Sequence, residues 1–173
     1  YLYQSFADYY RQKSNINQAL DYGYKAINIF DMNYGENNSS SIAIYLAEIE
    51  KCYTLQGDYS RALAILLKCK NYYEKNPHQN LINVLQSISD IYSNKGDYEN
   101  AIQYANKAIK DNPEDAYALM IAANSYEALG YPNQSRRYYE DMLMIKENSD
   151  DGIFNSIKKM PHRSIYMYKL VSK

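Results

Sequence analysis

Residues 82–113, INVLQSISDIYSNKGDYENAIQYANKAIKDNP, read as two helices joined by a tight turn. In the first half Leu85, Ile88, Ile91 and Tyr92 recur at spacings of three and four, which puts them on one apolar stripe of a helix. Lys95-Gly96-Asp97-Tyr98 then interrupts the pattern. Gly96 tolerates a positive φ, and the Asp97 carboxylate can accept a hydrogen bond from a free N–H at the start of the next helix. The second half again has helical period, with Ala101, Ile102, Ala105, Ala108 and Ile109 placing small residues where two helices approach closely. Pro113 ends it.

The same pattern recurs along the chain. A tyrosine about four residues before a turn stands at Tyr10, Tyr53, Tyr92 and Tyr126, at separations of 43, 39 and 34. A small residue early in the following helix stands at Ala19, Ala62, Ala101 and Ser135, with the same three separations. Two independent landmarks therefore define one register of four units. Their turns are Ser14-Asn15-Ile16, Gly57-Asp58-Tyr59, Gly96-Asp97-Tyr98 and Gly130-Tyr131-Pro132.

Helical hairpins of 34 residues with an aromatic, a glycine turn, small residues and a closing proline resemble tetratricopeptide repeats. The resemblance covers residues 1–148 as four units, at about 1–42, 43–81, 82–115 and 116–148. It implies an all-α fold, a right-handed α-α superhelix of stacked hairpins. The first two units exceed the family length, with the excess in Phe30 to Ser41 and Asn71 to Asn80. Their second helices are therefore expected to be longer by a turn or more. Long repeats of this kind resemble both kinesin light chains and bacterial peptide-sensing regulators, and length does not choose between them. The tract Asn33 to Ser40 reads as a loop. Residues 149–173, with Ile153, Phe154, Ile157 and Met160 at helical spacing, read as capping or linker helices.

Composition narrows the function classes. The 173 residues carry a formal net charge of −1, which gives no global attraction to nucleic acid or to an anionic membrane surface. The 22 tyrosines have no basic stripe to interleave with, so they read as half-buried packing residues rather than as a base-stacking platform. No apolar run approaches the ~20 residues of a membrane span, so no membrane insertion is expected. Cys69 replaces the small residues Ala26 and Ala108 of other units, and Cys52 adjoins the packing Tyr53. Both read as core residues, and they leave the redox compartment undecided, with the cytoplasm favoured over the periplasm or the exterior.

Catalysis is not expected. The two histidines, His78 and His162, fall in separate predicted loops, and there is no nucleophile elbow, phosphate-binding glycine loop or zinc-protease motif. No catalytic residue, metal ligand or cofactor is therefore assigned.

A binding role fits better. In arrays of the resembled family the first helices of successive units line a concave groove. Here the residues beside the packing stripe are Gln4, Asp8 and Arg11; Glu48 and Lys51; Gln86, Ser87, Asp90 and Asn94; and Tyr117, Met120, Asn124 and Glu127. Such a groove is polar, amide-rich and mildly acidic, suited to an extended peptide or protein segment that is neutral or basic. The carboxylate clamp of chaperone-binding relatives, built from Lys, Asn and Arg, is not matched by Gln4, Asp8, Glu48, Gln86 and Asp90. The expectation is a non-catalytic protein-interaction module. The alternative is the ligand-sensing region of a larger signalling protein, a histidine kinase or a peptide-responsive transcriptional regulator. Self-association through an apolar surface is a third expectation.

Overall fold

The structure, a computed structural model, describes residues 2–34 and 39–147. The expected helices of 149–173 lie outside those residues. Eight helices follow one another among the described residues: α1 Leu2–Gln12, α2 Ile16–Tyr34, α3 Ser39–Leu55, α4 Tyr59–Lys75, α5 Asn80–Asn94, α6 Tyr98–Asp111, α7 Ala116–Ala128 and α8 Pro132–Glu147. The chain divides into two compact units, Tyr1–Val84 and Leu85–Lys173.

All four hairpin turns share one hydrogen-bond pattern. The amides of Asn15, Asp58, Asp97 and Tyr131 donate to the carbonyls of Tyr10, Tyr53, Tyr92 and Tyr126 at 2.8–2.9 Å. The amides of Ser14, Gly57, Gly96 and Gly130 donate to Arg11, Thr54, Ser93 and Glu127, each at 3.0 Å. This pair of bonds is the Schellman motif, which requires a left-handed residue just past the helix end. That residue has φ of 58° at Ser14, 73° at Gly57, 78° at Gly96 and 80° at Gly130. The tyrosine landmark is therefore the residue whose carbonyl closes the turn. Asp58 and Asp97 then cap α4 and α6 through the amides of Arg61 and Asn100.

Unit one buries Ala7, Ala19, Ala26, Ile49, Cys52, Tyr53, Ala62, Leu63, Leu66, Cys69 and Tyr73. α2 packs on α3 closely enough that a Cβ on Gly23 would lie 2.9 Å from Ile49 Cγ1. Glu50, which falls where Ala7 and Ser89 stand in other units, is only 5% exposed. Its carboxylate accepts a 2.7 Å hydrogen bond from Thr54 Oγ1, so the buried charge is met from the next turn of its own helix. The long second helices are present: α2 has 19 residues and α4 17, against 14 in α6.

One expectation is corrected. The tract Asn33–Ser40 is not wholly a loop, because α2 continues to Tyr34 and α3 starts at Ser39. Extension of α2 uses the excess length that the loop reading had assigned to irregular chain. Tyr3 and Phe6 of α1 are 36% and 40% exposed, and both rings lie against Tyr22 of α2.

Unit two buries Leu85, Ile88, Ile91, Ala101, Ala105 and Ala108 along α5 and α6. Ser89 Oγ donates to the Ala101 carbonyl at 2.7 Å, tying α5 to α6. α7 buries Ala116 and every residue from Ala118 to Ala123. Ala116, Leu119, Met120 and Ala123 meet Tyr139 and Met142 of α8 in one cluster.

Candidate functional site

Polar side chains on the first helices of each unit are joined to one another. In unit one, Asp8 and Arg11 lie one turn apart on α1, and Glu48 and Lys51 one turn apart on α3. Arg11 Nη2 contacts Asp8 Oδ1 at 2.5 Å and Glu48 Oε2 at 3.4 Å, while Lys51 Nζ contacts Glu48 Oε1 at 2.7 Å. Two carboxylates and two cations thus form a neutral network bridging α1 and α3. The Arg11 guanidinium holds the Asp8 carboxyl below the usual carboxylate range, and Asp8 raises Arg11 in return. Gln4 is half-buried on the same helix.

In unit two the links are made without cations. Gln86 of α5 donates from Nε2 to Asp115 Oδ2, and the other carboxylate oxygen of Asp115 caps α7 by accepting from the Ala118 amide at 3.0 Å. One turn further along α5, Asp90 has the Tyr117 hydroxyl and the Asn94 amide as neighbours that favour its charged form. Burial pushes the Asp90 carboxyl up, outweighing the influence of those two neighbours, and burial together with the Asp90 charge pushes the Tyr117 phenol well up. Asn94 is exposed, and Ser87 and Glu127 are half-buried.

Two residues of the expected set face inward. Met120 is 8% exposed and belongs to the α7–α8 core cluster. Asn124 Oδ1 accepts a 2.5 Å hydrogen bond from the Tyr139 hydroxyl, which fixes it against α8. Asp115 was missed, although its place three residues before Ala118 at a helix start signalled a cap. The tyrosines are mostly structural: Tyr10–Tyr22, Tyr92–Tyr104 and Tyr126–Tyr138 stack at centroid distances of 5.3, 5.6 and 5.4 Å. Tyr53 instead shares a hydrogen bond with Tyr24 at 3.0 Å between hydroxyls and lies under Arg61. Cys52 and Cys69 are buried thiols not joined in a disulfide, and burial pushes both thiols up, that of Cys69 to about 11, so neither is a poised nucleophile.

Among the described residues no group of three or more His, Cys, Asp or Glu could hold a metal ion. No helix among them is long and apolar enough to cross a membrane.

Residues 82–115 match the tetratricopeptide repeat family model. No curated protein matches the chain in sequence. Among solved structures, BtubC (BKLC) from P. vanneervenii is similar at 15% identity and a TM-score of 0.76, over 94% of this chain and 66% of that one. A tetratricopeptide repeat protein from Parabacteroides merdae is similar at 18% identity and 0.69, over 85% and 53%. The nearly identical TPR-like repeats of a candidate kinesin light chain from Podosopora anserina are similar at 14% and 0.71, over 87% and 76%. The chain spans less than two thirds of the length of the first two.

Proposed function

From a chain that carries a tetratricopeptide repeat at residues 82–115 and shares the all-α fold of tetratricopeptide repeat structures, we infer a non-catalytic module that binds a protein or peptide segment along its first helices. The reading takes the chain as four repeats, at about 1–42, 43–81, 82–115 and 116–148. The bound segment is extended, and neutral or basic.

One observation carries the charge preference. The sequences of α5 and α7 contain no Lys or Arg, whereas Asp90, Asp115 and Glu127 stand on or at the start of those two helices. The Asp115 carboxylate is met by the Gln86 side-chain amide and the Ala118 N–H, neutral donors that leave its negative charge unneutralised. A Lys or Arg from a partner supplies the missing charge, and the resulting hydrogen bonds are charge-assisted. The α1–α3 network, by contrast, balances its own charges, so the first helices of unit one offer hydrogen bonding without net attraction.

The test is a crosslinking pull-down from the native lysate, comparing the chain with an Asp90→Asn, Glu127→Gln variant. Asn keeps the shape of Asp90 and Gln that of Glu127, so the circular dichroism of the two should coincide. Loss of a captured partner from the variant supports the reading, and its identity separates a scaffold from a sensor of signalling peptides. Equal capture by both overturns it.

A further inference from the structure

We propose that the basic residues 152–173 of this chain dock on the acidic face of α5 and α7, so that another basic segment reaches that face only by displacing them. This occupant rests on reading those two helices as a binding surface, and it makes the surface self-masked.

Charge names the occupant. Residues 152–173 contain Lys158, Lys159, Arg163, Lys169 and Lys173 and no Asp or Glu. α5 and α7 have the opposite composition, with Asp90 on one, Glu127 on the other, Asp115 capping α7, and no Lys or Arg on either. On the first helices of unit one, Asp8 and Glu48 each find a cation on α1 or α3. Among the described residues no cation pairs with Asp90, Asp115 or Glu127. The three carboxylates that lack a cation and the cations that lack a carboxylate thus belong to one chain, and both fall in the compact unit Leu85–Lys173.

The path of the chain brings them together. The turn after Ala128 sends α8 back along α7, and Met142 and Ile145 near its end share a cluster with Ala116 and Tyr117 at the start of α7. α8 therefore ends beside the helix start that Asp115 caps. Lys158 lies 11 residues beyond Glu147, a reach of about 16 Å as helix and about 36 Å extended. Packed helices are about 8–10 Å apart, so Lys158 and Lys159 come within range of Asp115 and Asp90 in either form. A tether this short holds its cations at a local concentration in the millimolar range. While they are docked, the apparent affinity for a separate segment falls to the undocked fraction of its intrinsic value.

Two measurements on the 173-residue chain test this. Carbodiimide joins a Lys amine to a carboxylate in direct contact. Peptide mapping of the monomer should find Lys158 or Lys159 joined to Asp90, Asp115 or Glu127. Monomers without those links would overturn the proposal, and so would links found only in crosslinked dimers, which would assign the segment to a second copy. The second measurement is fluorescence anisotropy with a labelled synthetic peptide of residues 152–173 as the probe. A Lys158→Gln, Lys159→Gln, Arg163→Gln chain should bind it at least ~10-fold more tightly than the unaltered chain, the ratio for nine chains in ten docked. Adding Asp90→Asn and Glu127→Gln should abolish that binding. Equal affinity of the unaltered and Gln-substituted chains would overturn the masking while leaving the binding surface standing. Absence of binding to both would overturn the surface as well.

Discussion

Tyr92 and Tyr104 stack with ring centroids 5.6 Å apart and planes 13° from parallel, joining the first and second helices of one hairpin. The same relationship, twelve residues apart, holds Tyr10 to Tyr22 and Tyr126 to Tyr138. Lys107 Nζ lies 4.7 Å from the Tyr104 centroid, so that ring meets both an aromatic and a cation. Aromatic pairs of this kind contribute about 0.5–1.5 kcal/mol beyond the area they bury. A double-mutant cycle of Tyr92→Leu and Tyr104→Leu, read by denaturant unfolding, should return a coupling in that range. Coupling near zero would mean that the rings pack independently.

Ser14 occupies the left-handed position that glycine holds in the other three turns. A side chain at that φ costs roughly 1–2 kcal/mol against the right-handed alternative. Ser14→Gly relieves the cost but gives the unfolded chain more freedom, so a gain of about 0.5–1 kcal/mol is expected. Gly96→Ala should lose about 1 kcal/mol or more by the same reasoning, since nothing within 4 Å would clash with the added methyl and backbone conformation alone decides. Urea midpoints of the two variants should move in opposite directions.

Those turns show how much of the fold was legible in the sequence. Tyr10, Tyr53, Tyr92 and Tyr126 fixed the register because they sit where the Schellman carbonyl must be, and a backbone requirement leaves a regular sequence mark. Tyr22, Tyr104 and Tyr138 were not legible as partners, since a helical tyrosine looks alike whether it stacks or faces water. At the site, helical period put Asp8, Arg11, Glu48 and Lys51 near one face, and they meet. The same period put Met120 and Asn124 there, but α8 supplies Tyr139 and Met142, which draw both inward. Sequence spacing within one helix carries no information about the side chains that a neighbouring helix presents.

Gly23 lies mid-helix, where alanine is normally better by about 1 kcal/mol. Here the added methyl would sit 2.9 Å from Ile49 Cγ1 and 3.5 Å from Cδ1. Cγ1 is the inner atom of a β-branched side chain with one favoured rotamer in a helix, so it yields poorly. Overpacking of this sort costs about 1–3 kcal/mol and should outweigh the propensity gain, leaving Gly23→Ala destabilised. Combining it with Ile49→Ala should recover part of the loss relative to Ile49→Ala alone, because the methyl then fills the cavity. Additive losses in thermal unfolding would show that the two residues do not press on one another.

Asp8 and Asp90 should respond to acid in opposite senses. The folded-state carboxyl of Asp8 lies below its usual value of about 3.9, chiefly through the Arg11 hydrogen bond. The unfolded chain therefore binds the proton more tightly, and the stability that Asp8 contributes is present above about pH 4 and lost as pH falls through the lowered value. That of Asp90 is raised by burial, so the folded chain binds the proton more tightly. Its charge then costs stability, and the cost sets in as pH rises from about 4 through the raised value. Asp8→Asn should lower stability at pH 7 by less than about 1 kcal/mol, because the pair is partly solvent-screened, with the difference closing on acidification. Asp90→Asn should raise stability at pH 7 and give no gain below about pH 4, where wild-type Asp90 is itself neutral. Unfolding free energies at pH 7 and about pH 3.5 decide both. A loss at pH 7 for Asp90→Asn would show that the favourable influence of Tyr117 and Asn94 on the carboxylate outweighs the cost of burying its charge.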